Sequence, residues 1–236
     1  MSASINLNVA RLGTVDYATA LELQSALVAD RMRDAIDDTL LLLEHPHVYT
    51  LGRGADERFL LNPPADIPIH RVSRGGQVTY HGPGQLIGYP IVKLEGADRD
   101  VIRYLRKLEQ ILINALMRCG IEAQRRDRLT GVWVGNAKIA SIGVGLRRWV
   151  TLHGFAVNVT TDLSYFDSIV PCGIEGCRMT SIAALGRPEI SLASFSSIIA
   201  EEAATVFGHL QMRNLEPREV WRLAAAISEP AGAANP

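Results

Sequence analysis

The sequence predicts a mixed α and β fold. Three observations carry that expectation. A stretch that alternates like a strand, INLNVARL at residues 5–12, runs into helical periodicity over residues 16–33. A long amphipathic helix is written over residues 100–119. Three apolar-rich segments then read as consecutive strands between residues 131 and 159. With 236 residues and 47% apolar content the chain can bury a sizeable core. The length suits one domain, expected over residues 1–227, followed by a loose tail, SEPAGAANP, over residues 228–236.

After the first strand and helix, TLLLLEH and HVYTL read as two buried strands broken at Pro46, which has no N–H to give to a ladder. A proline-rich loop, NPPADIP, leads to short strands that flank a glycine stretch, RGGQVTYHGPGQLIGYP, at residues 74–90. In the long helix Leu105, Leu108, Leu112, Leu116 and Cys119 fall on one face, and Gly120 stands where a C-terminal cap belongs. GVWV and AKIASIGVGL follow, joined through Gly135 and Asn136, a hairpin turn pair, and then WVTLHGFAVNV. Two further helices are expected near residues 192–207 and 216–227.

A formal charge of −1 argues against nucleic-acid binding driven by bulk electrostatics. No stretch is apolar and long enough to span a bilayer, and the N-terminal residues lack the pattern of a secretory leader, so a cytoplasmic location and no membrane partner are expected. The three cysteines, Cys119, Cys172 and Cys177, lack metal-ligand spacing, so free thiols, and neither a disulfide framework nor a metal site, are expected.

The glycine stretch holds most of the chemistry. Glycines at 75, 76, 82, 84 and 88 allow positive φ and close backbone approach to a ligand, although tight turns use the same residues. No Gly-Lys-Ser/Thr follows them, and no GxGxxG stands at a strand-to-helix junction, so neither nucleotide-binding loop is present.

Four motifs in fixed order mark a resemblance. They are Arg74-Gly-Gly-x-x-Thr79-x-His81-Gly-Pro-Gly-Gln85, Lys138-Ile-Ala-Ser-Ile-Gly143, Leu152-His-Gly-Phe-Ala156 and Ile169-Val-Pro-Cys172-Gly173. Together, from about Leu43 to Ile182, the chain resembles the lipoyl(octanoyl) transferases. The resemblance implies the mixed sheet with flanking helices of the biotin and lipoate protein ligase catalytic fold. It also implies transfer of an octanoyl group, without a cofactor, from octanoyl-acyl carrier protein to a lysine of a lipoyl domain. Such domains occur in 2-oxoacid dehydrogenases and in the glycine cleavage H protein.

Carried over position by position, the resemblance makes Cys172 the acyl-accepting nucleophile and Lys138 its activator. It lines the substrate pocket with Arg74, Gly75, Gly76, Gln77, Val78, Thr79, Tyr80 and His81, with Ser141, Ile142 and Gly143, and with Gly154, Phe155 and Ala156. The chemistry is consistent with these residue types. A cysteine of ordinary pKa near 8.5 is only about 3% thiolate at pH 7, so a nearby cation has work to do. A thioester donor is already activated, and passing it to a second thiol requires no ATP. The glycines are expected to let the backbone line an acyl tunnel, with Gly75, Gly76, Gly154 and Ala156 as its wall, and to offer N–H groups to the carbonyl oxygen.

Each residue also has a plainer reading. Cys119 lies on an apolar helix face and is read as structural; Cys177 has no role from the resemblance. The chain has 21 arginines and three lysines, which sets Lys138 apart. Strict alternation places it with Ala140, Ile142 and Val144, and a hairpin-end lysine reaching water is the alternative. His81 and His153 are either substrate contacts or hydrogen-bonded core histidines. The clusters Arg103/Arg106/Lys107, Arg125/Arg126/Arg128 and Arg147/Arg148 are solvated faces or a landing surface for an acidic carrier. Two other functions stay open: an ATP-dependent lipoate or biotin protein ligase of the same fold, and a non-catalytic acyl-protein binding module.

Overall fold

The computed structural model describes residues 6–174 and 176–225. The first half folds as β1 (Asn6–Thr14), α1 (Tyr17–Met32), β2 (Asp38–Glu44), β3 (Val48–Leu51), β4 (Ile69–Arg71), β5 (Val78–His81) and β6 (Gln85–Ile91). The second half supplies α2 (Val101–Arg118), β7 (Gln124–Arg126), β8 (Leu129–Val134), β9 (Ala137–Arg147) and β10 (Val150–Asn158). It closes with β11 (Arg178–Met179), α3 (Leu192–Phe207), β12 (Gln211–Leu215) and α4 (Pro217–Ala225). Residues 226 and 227 of the last expected helix, and the expected tail at 228–236, lie outside the described residues.

Among the described residues a nine-stranded mixed sheet runs β12-β1-β2-β6-β10-β9-β8-β7, with β11 beside β9, and a separate three-stranded sheet runs β4-β3-β5. β1 is parallel to β2 and β12, whereas β2, β6, β10, β9 and β8 are successively antiparallel. The run of four leucines in β2 explains its central place. Leu40 and Leu42 face the layer of α2 and α3, while Leu41 and Leu43 face the layer of α1 and α4. Alternate residues point to opposite faces, so a strand apolar throughout is one covered on both sides.

The long helix obeys its local signals. The Asp100 carboxylate accepts from the amides of Ile102 and Arg103 at the N-terminus, which typically contributes about 1 kcal/mol, and Gly120 follows the helix at φ 73°. Its fully covered stripe is Tyr104, Leu108, Ile111, Leu112, Ala115 and Leu116; Leu105 sits half-buried at the margin.

Two features depart from the sequence reading. The break at Pro46 does more than interrupt one ribbon, because β2 belongs to the large sheet and β3 to the small one. Strands β7, β11 and β12 were not expected. All three are short, and their pairing with β8, β9 and β1 is settled by tertiary contact and not by apolar periodicity.

Candidate active site

Cys172 sits in a tight turn, Pro171–Gly173, with φ 57°, and Gly173 follows at φ 69°. A left-handed conformation in a residue with a Cβ typically costs about 1–2 kcal/mol, which the surrounding turn holds in place. Lys138 Nζ donates to Cys172 Sγ at 3.0 Å, and Ser141 Oγ lies 3.8 Å from the same sulfur. Lys138 is 1% exposed. Its ammonium lies 5.5 Å from the centre of the Trp133 ring, and among the described residues it has no carboxylate partner. A buried lysine without a carboxylate partner is costly, and the Cys172 sulfur is the hydrogen-bond acceptor it finds here.

A register shift puts Lys138 there. Val132 pairs with Ala140 but Trp133 pairs with Lys138, which leaves Ile139 as an extra residue in β9. Ile139 and Ala140 both pack into the layer beneath α2 and α3, joined by Ile142 and Val144, while Lys138 and Ser141 both reach Cys172. The expectation that Lys138 shares a face with Ala140, Ile142 and Val144 is thus overturned: a bulge reverses the alternation and re-aims a side chain. Gly131 completes the arrangement. At φ 127° it carries no side chain where a Cβ would lie 2.6 Å from Lys138 Cε and 2.7 Å from the Ala140 carbonyl. Its amide donates to the buried Glu109 carboxylate at 3.2 Å.

A second buried cation faces the same space. Arg74 donates to the Thr50 carbonyl (2.7 Å), Thr50 Oγ1 (2.8 Å) and the Gly75 carbonyl (3.0 Å), and its Nε has no partner. Desolvation holds its pKa below the usual arginine value, against the pull of Tyr17, Cys172 and Tyr89. Behind it the polar groups form a directed chain. His81 Nδ1–H donates to Gln85 Oε1 at 2.8 Å, Gln85 Nε2 donates to Asn158 Oδ1 at 2.9 Å, and Asn158 Nδ2 donates to the Thr180 carbonyl at 3.0 Å. The Thr180 amide then returns to the Lys138 carbonyl at 2.9 Å. Burial pulls His81 down to about 3 and His153 down to about 4, so both are neutral at pH 7.

A cavity of about 250 Å³ collects these groups. For scale, a cavity of about 150 Å³ holds benzene. Of the expected pocket residues, Arg74, Gly76, Gln77, Val78, Thr79 and His81 line it, as do Ser141, Ile142, Gly143, Gly154, Phe155 and Ala156, with Lys138, Cys172 and His153. Gly75 and Tyr80 do not. The Gly75 amide is used by the Val144 carbonyl at 2.9 Å, so it is no oxyanion donor. Tyr80 turns into the small sheet's core, with its hydroxyl 2.7 Å from His47 Nδ1 and its ring stacked on Tyr165. Gly154 lines the cavity with backbone; a Cβ there would lie 2.2 Å from the Gly88 carbonyl, so its smallness serves strand approach. Tyr17, Tyr89, Leu129, Thr130 and Ile174 complete the wall and had not been singled out, and Arg128 joins it from a cluster read as a solvated face or a carrier landing surface. Nor had Gly52, where a Cβ would lie 2.0 Å from the Gly76 carbonyl. Only the strand-end position of Leu129 and Thr130, just ahead of GVWV, offered a signal.

The arginine clusters are largely spent inside the fold. Arg106 and Arg125 both reach Glu109, at 2.7 and 2.9 Å, and Lys107 reaches Asp98 at 2.8 Å. Arg126 lies over Trp133 at 4.4 Å, whereas Arg128 at the cavity and Arg147 and Arg148 stand exposed. Cys119 and Cys177 are half-buried thiols, each pushed above its usual pKa first by desolvation. No described helix is long and apolar enough to cross a membrane.

Known proteins resemble this chain in sequence and in fold. The lipoyl protein ligase A/B catalytic domain matches residues 16–204. An octanoyltransferase from Solibacter usitatus is 56% identical over 186 residues, which span 77% of this chain and 84% of that protein. One from Gloeobacter violaceus is 49% identical over 83% of this chain and 88% of its own length. Among solved structures, a lipoate-protein ligase A bound with ATP superposes with a TM-score of 0.72 at 16% identity, covering 93% of each chain. A biotin protein ligase from Aquifex aeolicus gives 0.50 at 10% identity, covering 86% of this chain and 70% of the other, and both likenesses speak for the fold alone. The expected ligase-like mixed sheet is therefore found, and, on the family match and relatives near half identical over most of their length, the chain belongs to the lipoyl protein ligase A/B catalytic-domain family as one of its octanoyltransferases.

Proposed function

We propose that this octanoyltransferase works by a covalent relay through Cys172, with Lys138 as its partner. The observation that carries the reading is the buried Lys138 ammonium 3.0 Å from the Cys172 sulfur. In the first step the Cys172 thiolate attacks the thioester carbonyl of octanoyl-acyl carrier protein. A carbon–sulfur bond forms at Cys172, the bond to the carrier's pantetheine sulfur breaks, and the departing thiolate takes from Lys138 the proton that Cys172 had passed to it, which leaves Lys138 neutral. In the second step the neutral amine of a lipoyl-domain lysine attacks the new thioester. The amide bond forms, the Cys172 sulfur leaves, and the amine's proton passes by way of Lys138 to that sulfur and restores the thiol.

The cavity supports the choice of acyl group. Six methylenes and a methyl contribute roughly 5 kcal/mol if wholly buried at about 0.8 kcal/mol each. Arg74 and Lys138 together place two cations where a thiolate and a developing oxyanion form, in a site where charge is weakly screened. The acceptors are the lipoyl domains of 2-oxoacid dehydrogenases and of the glycine cleavage H protein, and the reaction is proposed for the cytoplasm.

The fold is shared with a ligase bound with ATP, so the fold does not choose between the two chemistries; the cysteine–lysine pair supports the relay. Incubating the protein with octanoyl-acyl carrier protein and an unmodified lipoyl domain, without ATP, is expected to yield an octanoylated lysine. Dependence on ATP and free octanoate would overturn the relay.

A further inference from the structure

Tyr17 stands between two spaces. It lines the cavity that reaches Cys172 and Lys138, and it also lines an open groove on the outer surface, shared with Leu21, Glu22, Ser25, His70 and Val72. The residue itself is only 5% exposed, so its side chain fills the partition. Its ring is stacked on His81, a cavity residue, at 6.2 Å and 12° between planes, and on His70, a groove residue, at 5.5 Å and 24°. Three near-parallel rings therefore run from cavity to groove, with Tyr17 common to both spaces.

We infer that Tyr17 is the stop that sets acyl chain length: it closes the octanoyl cavity, and without its ring a longer hydrocarbon passes into the outer groove. The inference rests on the relay proposed above, in which the tail of the Cys172 thioester occupies the cavity. The groove suits such a tail. Ala18, Leu21 and Val72 give it an apolar floor, and Glu22 and Arg71 stand at its charged rim. The neighbours of Tyr17 also favour a fixed stop over a swinging lid. His45, whose Nδ1 donates to the Val15 carbonyl and whose Nε2 accepts from the Tyr89 hydroxyl at 2.7 Å, holds its ring 5.1 Å from that of Tyr17. A rigid aromatic wall rejects extra methylenes by overlap, whereas a pocket open at its far side gains from each one it covers.

The test compares transfer to one lipoyl domain from octanoyl- and dodecanoyl-acyl carrier protein, measured as kcat/KM for the wild type, Tyr17→Ala, Tyr17→Leu and Tyr17→Phe. For the two truncations the dodecanoyl-to-octanoyl ratio is expected to rise at least about tenfold, and for Tyr17→Phe, which keeps the ring, it stays at the wild-type value. Adding Leu21→Trp to Tyr17→Ala, so that the groove is filled, is expected to bring the ratio back down. Thermal melts establish which variants are folded, and Tyr17→Leu guards against collapse of the alanine variant. An unchanged or falling ratio in a folded truncation overturns the stop while leaving the relay intact. Absence of octanoyl transfer by the wild type overturns the relay, and the stop with it.

Discussion

Lys138 Nζ lies 3.0 Å from Cys172 Sγ, although 34 residues separate them in the chain and strict alternation along β9 would turn the lysine to the other face of the sheet. The bulge at Ile139 makes the contact. Removing the charge by Lys138→Ala is expected to slow octanoyl transfer at least roughly a hundredfold and to slow alkylation of Cys172 by iodoacetamide at pH 7. Lys138→Arg keeps a cation but cannot pass a proton, so it restores alkylation more than transfer. Equal recovery of both rates would remove the proton-transfer role and leave only the electrostatic one.

Gly131 is predicted to matter as much as a residue that touches substrate. A methyl there meets Lys138 Cε at 2.6 Å and the Ala140 carbonyl at 2.7 Å, at a φ that residues with side chains avoid. Gly131→Ala is expected to lower kcat by about tenfold or more with KM little changed, because it displaces the ammonium and leaves the tail's cavity alone. A rise in KM at constant kcat would show that Gly131 shapes acyl binding instead.

Ala156 is 5% exposed, pairs with Ser141 across β9 and β10, and lines the cavity. Ala156→Leu is expected to cut octanoyl transfer at least about tenfold more than butanoyl transfer, since only the longer tail needs the volume the new side chain takes. Equal losses for the two donors would move the tail's path away from Ala156.

Three buried histidines make stability fall with acidity. Desolvation pulls His45 and His153 down to about 4 and His81 to about 3, from an ordinary value of 6.5. The unfolded chain takes up these protons near pH 6.5 while the folded chain does not, so stability is full above that pH and is lost as pH falls toward 4. At pH 5 the loss is on the order of 2 kcal/mol for each histidine. Urea unfolding at pH 7, 6 and 5 measures it, and His45→Gln is expected to flatten the slope by about one proton. A slope unchanged by that substitution would mean that His45 is already charged in the fold.

Much of the fold was legible because it is written locally. The apolar run of β2, the Gly120 cap of α2 and the Gly135-Asn136 hairpin each state their own structure. The four motifs likewise named Lys138, Ser141 and Cys172, which the fold brings together. What escaped depends on distant partners. Tyr17 and Tyr89 carry no motif and become cavity residues only when α1 and β6 pack beside β10. Gly131 reads as a strand glycine until the Lys138 side chain is placed against it. Gly75 and Tyr80 sit inside a motif of cavity residues, yet one spends its amide on Val144 and the other turns into the small sheet.

The covalent relay is tested most directly by mass spectrometry of the protein after brief incubation with octanoyl-acyl carrier protein and no acceptor. The account predicts one octanoyl group per chain, located by peptide mapping on Cys172, discharged when an unmodified lipoyl domain is added and absent from Cys172→Ser. An octanoyl group on Cys177, or full transfer activity in Cys172→Ser, would contradict it.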